Sequence, residues 1–262
     1  MNTPVVLSRK DRVAIIELNR PDALNAIDIP MRRALLSSLD ELGRDAGVGA
    51  VVLAANGKAF CSGADLKAAA ENPDSSARRT ARTLIHDFQP IVEALTRIDK
   101  PVIAAVNGAA AGVGLSLVLA CDLIVMDSSA YLMSPFINLG LIPDGGAAWF
   151  LTRRLGYARA FEMLADAEKL PAERCLQLGI ANRVVMPEAL RGDCEQWATK
   201  LAARAPLALA LTKRLARLSL TSSLSDTLTM EAEFQTFLAT TADAREAITA
   251  FGEKRAPTFY GR

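Results

Sequence analysis

The chain has 262 residues, half of them apolar, with 30 basic and 29 acidic side chains and a net charge of +1. That length buries a core without disulfide or metal staples and fits one or two domains. The even charge balance and an aromatic content of 5% argue against a nucleic-acid binder, which needs a basic surface and stacking faces. Cys61, Cys121, Cys175 and Cys194 form no CxxC pair, and His86 is the only histidine. Reduced thiols in a cytoplasm, no metal site and no signal peptide are therefore expected.

In chain order, residues 5–18 alternate apolar and polar around Lys10-Asp11, which predicts two strands and a turn. Asp28 ahead of Pro30 predicts a helix cap, and Leu35, Leu36, Leu39 and Leu42 follow at helical spacing. Residues 49–55 (GAVVLAA) predict a buried strand. The segment 71–80 is polar and predicts a mobile loop ahead of a helix over 80–97. A second buried strand is predicted at 102–106, then a glycine- and alanine-rich loop that becomes an apolar helix by residue 120. Residues 101–121 carry no charge, which fits a membrane span by length. Pro101, Asn107, Gly108, Gly112 and Gly114 interrupt that run, so strand, loop and helix is the better reading. Strands follow at 123–126, from 131, and at 182–185. Helices are predicted at 157–165, 173–179, from Pro187, from Pro206 and over 230–251. The alternation predicts the α/β class with a helical tail, divided into residues 1–197 and 198–262.

Three glycine-containing segments are candidates for chemistry: 59–67 (AFCSGADLK), 107–116 (NGAAAGVGLS) and 140–146 (GLIPDGG). The first two each follow a predicted strand and open a helix. N–H groups at a helix start lack intrahelical partners and sit at the positive end of its dipole. Two such starts facing one point suit an oxygen that gains charge, such as that of a thioester enolate. Other motifs fit less well. Gly112-Val113-Gly114 has Leu117 where a dinucleotide fingerprint needs its third glycine. Gly114-Leu115-Ser116 has Val118 where a nucleophile elbow needs its closing glycine.

RPDALNAI, AFCSGADLK, PVIAAVNGAAAGVGLSLVLACDLIV and the ending FGEKRAPTFYGR, in that order along nearly the whole chain, resemble the crotonase superfamily of enoyl-CoA hydratases and isomerases. The resemblance implies a crotonase-like spiral of short strands and helices, with a helical C-terminal part that forms homotrimers or homohexamers. It implies an oxyanion hole made by the N–H groups of Ala64 and Val113, the latter at the middle of the family's GGG, where a β-branched side chain narrows the space beside the thioester. It implies an acyl-CoA substrate against Ala64, Asp65, Leu66, Lys67, Gly112 and Phe136. Phe251 and Lys254 would meet the adenosine end in a neighbouring subunit. Coenzyme A enters only as part of the substrate, with no other cofactor, no metal, no nucleic acid and no membrane. Asp65 also reads as a cap or loop tie, Cys61 as a packing residue and His86 as an exposed bystander.

The resemblance breaks at the catalytic glutamates of the family's hydratases, whose positions hold Ser116 and Phe136 here. One carboxylate remains, Asp144 in GLIPDGG, which resembles the acid of double-bond and ring-opening isomerases. A single base serves an isomerase, because it removes a proton at one carbon and returns it at another. Phe136, Ile142 and Trp149 are candidates for an apolar wall that raises its pKa. The competing reading makes Asp144 a cap of the next helix. The expected activity is acyl-CoA isomerisation through a thioester enolate. The alternatives are a hydratase with an atypical base or an acyl-CoA-binding homologue with little activity.

Overall fold

A computed structural model describes residues 3–66 and 81–262; Lys67 and the loop predicted at 71–80 lie outside the described residues. Strands β1 (Val5–Lys10) and β2 (Val13–Leu18) form an antiparallel hairpin, with Asp11 at φ 52° in its turn. From β2 the sheet continues in parallel through β3 (Ala50–Ala55), β5 (Val102–Val106), β7 (Leu123–Asp127) and β10 (Arg183–Val185), giving six strands. A second sheet orders the short strands β4 (Ala59–Cys61), β6 (Ala109–Ala111), β8 (Tyr131–Met133) and β9 (Leu170–Pro171). The pairs β3–β4, β5–β6 and β7–β8 each place one strand in each sheet. The chain therefore winds as a spiral, which is the crotonase fold.

The first helix, α1 (Ile29–Arg44), starts where Asp28 Oδ1 accepts the Met31 N–H at 2.8 Å. A π turn, Leu84–Phe88, leads into α2 (Gln89–Arg97). Then come α3 (Val113–Ala120), α4 (Ala147–Leu155), α5 (Tyr157–Asp166), α6 (Ala172–Gln177) and α7 (Leu190–Ala202). The tail consists of α8 (Pro206–Leu218), α9 (Leu224–Ala239) and α10 (Ala242–Glu253).

Both faces of the larger sheet are covered, which is why β2 is buried at every residue. Val13, Ile15, Val52 and Ile103 pack under Leu190, Cys194, Ala198 and Ala202 of α7. Ala14, Ile16, Leu18, Val51 and Leu53 face the main core, which α1, α2 and α3 complete. The division expected between residues 197 and 198 falls inside α7, whose buried face runs on to Ala202. The helix expected over 230–251 is two helices, because Thr241 Oγ accepts the Ala244 N–H at 3.1 Å and opens α10. The uncharged run resolves into β5, β6 and α3, and among the described residues no helix is long and apolar enough to cross a membrane.

Candidate active site

The first glycine segment runs beside residues 24–27. Ser62 N–H donates to the Leu24 carbonyl at 3.0 Å, Ile27 N–H to the Gly63 carbonyl at 2.8 Å and Asp65 N–H to the Ile27 carbonyl at 3.1 Å. Gly63 N–H faces Cys61 Sγ at 3.4 Å. Ala64 pairs with Ile27 as a lone parallel bridge, a pattern that turns its own N–H to the opposite side. Among the described residues that N–H has no acceptor, and Ala64 is exposed.

Arg20 ties this arrangement together. Its guanidinium donates to the Ala26 carbonyl, to Asp65 Oδ2 from both terminal nitrogens at 3.0 Å, and lies 3.2 Å from Asp28 Oδ2. Asp65 is thus a loop tie, the alternative its sequence position allowed. Its carboxylate is engaged by the protein rather than open to a ligand.

The second segment ends at α3. Gly112 N–H is held by the Met133 carbonyl at 3.2 Å, and the first intrahelical bond runs from Ser116 N–H to the Gly112 carbonyl. Val113, at the first helical position, therefore has a backbone N–H without an intrahelical partner. A Cβ built on Gly63 would lie 3.7 Å from Val113 N and 3.2 Å from the Ala111 carbonyl oxygen. The two loops with free N–H groups are thus neighbours. Close approach is enforced one residue on, where a Cβ at Gly114 would meet the Cys61 carbonyl oxygen at 2.3 Å. The far end of α3 is saturated: Arg154 donates to the Leu119 and Cys121 carbonyls, and Arg217 to that of Ala120. Cations there complement the negative end of the helix dipole.

The Val113 side chain is only 2% exposed and belongs to the main core. A helical N–H points along the axis while the side chain leaves radially, so the valine packs inward without blocking its own donor. Phe136 is buried, with its ring tip 3.8 Å from where a Gly112 Cβ would stand. It forms an apolar wall beside the start of α3.

Asp144 lies in the turn that leads into α4. Its carbonyl accepts the Ala147 N–H at 3.1 Å, but its carboxylate caps nothing; α4 begins at Gly146 with no side-chain cap. The capping alternative is thereby removed. Asp144 Oδ1 is shut off from solvent and has no hydrogen-bond partner among the described residues, a condition that costs free energy and calls for a reason. Burial pushes the carboxyl up to about 6. Of the expected wall, Ile142 is 83% exposed and Trp149, on α4, is exposed as well. The turn's close neighbours are instead Ser116, against Gly145, and Val92 and Phe150 beside Gly146.

The remaining predicted residues stand apart from this cluster's hydrogen bonds. Leu66 is exposed. Phe251 is the most open of the tail's apolar side chains, and Lys254 closes α10 in the left-handed region; the structure does not bring either into the network just described. All four cysteines are free and buried, and burial raises each thiol to about 12, which makes Cys61 a packing residue. His86 is exposed on the π turn. Sequence reasoning missed Arg20 and the contact of Ser116; the RP pair in RPDALNAI was the only signal for the former.

The sequence model of the Enoyl-CoA hydratase/isomerase family matches residues 8–262. The chain belongs to that family, the crotonase superfamily, and is an enzyme of its kind. A Rhodobacter capsulatus protein named "Probable enoyl-CoA hydratase" is 37% identical over 95% of each chain. The 1,2-epoxyphenylacetyl-CoA isomerase of Escherichia coli K12 is 34% identical over 98% of each. An enoyl-CoA hydratase structure from Bacillus anthracis superposes with a TM-score of 0.94 at 29% identity, covering 99% of this chain and 100% of that one. Hydratases and isomerases both stand among the relatives, so the choice between them falls to the site.

Proposed function

We propose that the enzyme isomerises an unsaturated or epoxidised acyl-CoA, with Asp144 as its only general base. The observation that carries this reading is the buried, unpartnered Oδ1 of Asp144, together with a pKa near 6 and the absence of a carboxylate at Ser116 and Phe136. In the double-bond shift, Asp144 takes the proton from the carbon next to the thioester. The electrons move onto the carbonyl oxygen, held by the N–H groups of Ala64 and Val113, and the dienolate forms. Asp144 then returns the proton at the far end of the conjugated system. Two backbone donors fixed before reaction stabilise the charge as it develops, and a base with a pKa near 6 is ionised at neutral pH yet basic enough to work.

Hydration instead needs one group to activate water and another to protonate carbon; Ser116 is committed to a backbone carbonyl and Phe136 carries no proton. The acyl-CoA would rest on Leu66, Gly112 and Phe136. Leu224, Leu228, Phe237, Ile248 and Phe251 stand open on the tail, which favours a homotrimer or homohexamer in which Phe251 and Lys254 reach a neighbour's coenzyme A. Four reduced thiols favour the cytoplasm.

The test supplies a 3-enoyl-CoA and a 2-enoyl-CoA in deuterated water and reads products by mass spectrometry and NMR. Interconversion of the two with deuterium incorporated is expected. A product heavier by one water would establish hydration and overturn the proposal.

A further inference from the structure

We infer that Ser116 is a positioning residue: its hydroxyl yokes the Asp144 turn to α3, so that one helix sets the spacing between the proton carrier and the Val113 donor. The inference rests on the reading of Asp144 as the base. Ser116 is fully buried, and its Oγ donates to the Asp144 carbonyl at 2.9 Å. A serine inside a helix ordinarily bonds back to the carbonyl four residues earlier; this one crosses instead to a turn 28 residues away in sequence. Among the described residues it makes the only side-chain hydrogen bond onto residues 143–146.

The steric contact is as specific as the hydrogen bond. Gly145 has φ 58°, and a Cβ there would meet Ser116 Cβ at 2.8 Å and Oγ at 2.9 Å. The turn is therefore seated directly on the serine, with a glycine required for the backbone conformation and for the space. Val113 stands three residues earlier on the same helix, roughly 4.5 Å along its axis. Among the described residues Asp144 Oδ1 has no partner to aim it, so the carboxylate is placed by its backbone. The position that carries a glutamate in the family's hydratases thus serves, in this chain, to place a different carboxylate.

Ser116→Ala keeps the Cβ and removes the bond. With a 3-enoyl-CoA substrate, kcat is expected to fall about tenfold or more while KM stays within about twofold. The acid limb of kcat/KM should move from near 6 toward the ordinary carboxylate range, as the loosened turn admits water. Gly145→Ala pushes the turn off the same contact with the hydroxyl intact, and keeps the inference testable if Ser116→Ala does not fold. The double variant should lose no more activity than the worse single one, because both break one contact. A folded Ser116→Ala enzyme with a lower Tm but unchanged kcat and pH profile would overturn the inference while leaving Asp144 as the base. Retention of isomerase activity by Asp144→Asn would overturn the base assignment itself, and the yoke with it.

Discussion

Two aspartates stand by the glycine-containing segments, Asp65 next to Ala64 and Asp144 in the turn that Ser116 of α3 holds, and their surroundings are opposite. Asp65 meets the Arg20 guanidinium twice at 3.0 Å and anchors the loop that presents Ala64. Asp144 has a buried oxygen with no partner among the described residues, which hold it through its backbone. A carboxylate tied to a cation gives rigidity; a carboxylate buried without one holds its proton more tightly than usual, so that it can take up and release a proton near neutral pH. The difference lies in the neighbours, since the two side chains are chemically identical.

The largest effect should come from Asp144→Asn. An amide cannot carry a proton between two carbons, so kcat should fall by about 10²–10⁴ with acyl-CoA affinity retained. The same change should stabilise the fold. An unfolded aspartate loses its proton near 3.8 and the folded one near 6, so stability falls as pH rises through that window, and the cost is complete above it. Removing the charge should raise stability at pH 7 by about 1–2 kcal/mol, read by chemical denaturation, with no gain below pH 3.8. For the unmodified enzyme, kcat/KM should climb with pH through about 6 as the base ionises. A variant that loses stability at pH 7 would contradict the account of a buried, unpartnered charge.

At the other aspartate a smaller loss of activity is expected, with a stability change of the opposite sign. Arg20→Met removes the shared cation and leaves Asp28 and Asp65, both largely buried, without it. Breaking such a cluster should cost about 2–4 kcal/mol of stability. Because the Ala64 loop would lose its anchor, kcat should also drop by about tenfold. Asp65→Asn keeps a hydrogen-bonding oxygen in place and should cost less on both measures. Equal and undiminished activity in the two variants would mean that the tie is structural only and does not reach Ala64.

Much of this was legible in the sequence because it depends on neighbours along the chain. Asp28 caps α1 through the N–H three residues on, and the apolar runs of β3, β5 and β7 announce buried parallel strands. The strands β4 and β6 were read as loops, since three residues are too few to show alternation and Ala109–Ala111 offers no contrast. The break between α9 and α10 was hidden because threonine at 240 and 241 fits a helix until its hydroxyl finds a cap. Asp144 could be picked out by resemblance, but its unpartnered oxygen could not, because that follows from packing around the turn. Arg20 reaches Asp65 across 45 residues and Ser116 reaches Asp144 across 28. No local pattern encodes either contact.

The smallest effect separates side chain from backbone at the second donor. Val113→Ala deletes two methyl groups from a position that is 2% exposed and lies in the main core, which should cost about 1–2 kcal/mol of stability. The N–H at the start of α3 is untouched, and Gly114 still pins the helix against Cys61. On the proposed isomerisation, kcat/KM should therefore change by less than about threefold, measured beside a denaturation curve for the same variant. A large rise in activity would show that the valine restricts the thioester after all and that its inward packing is lost when substrate binds. A stability loss with activity kept is the expected result, because on the proposed mechanism the N–H alone meets the oxyanion and the side chain answers only to the core.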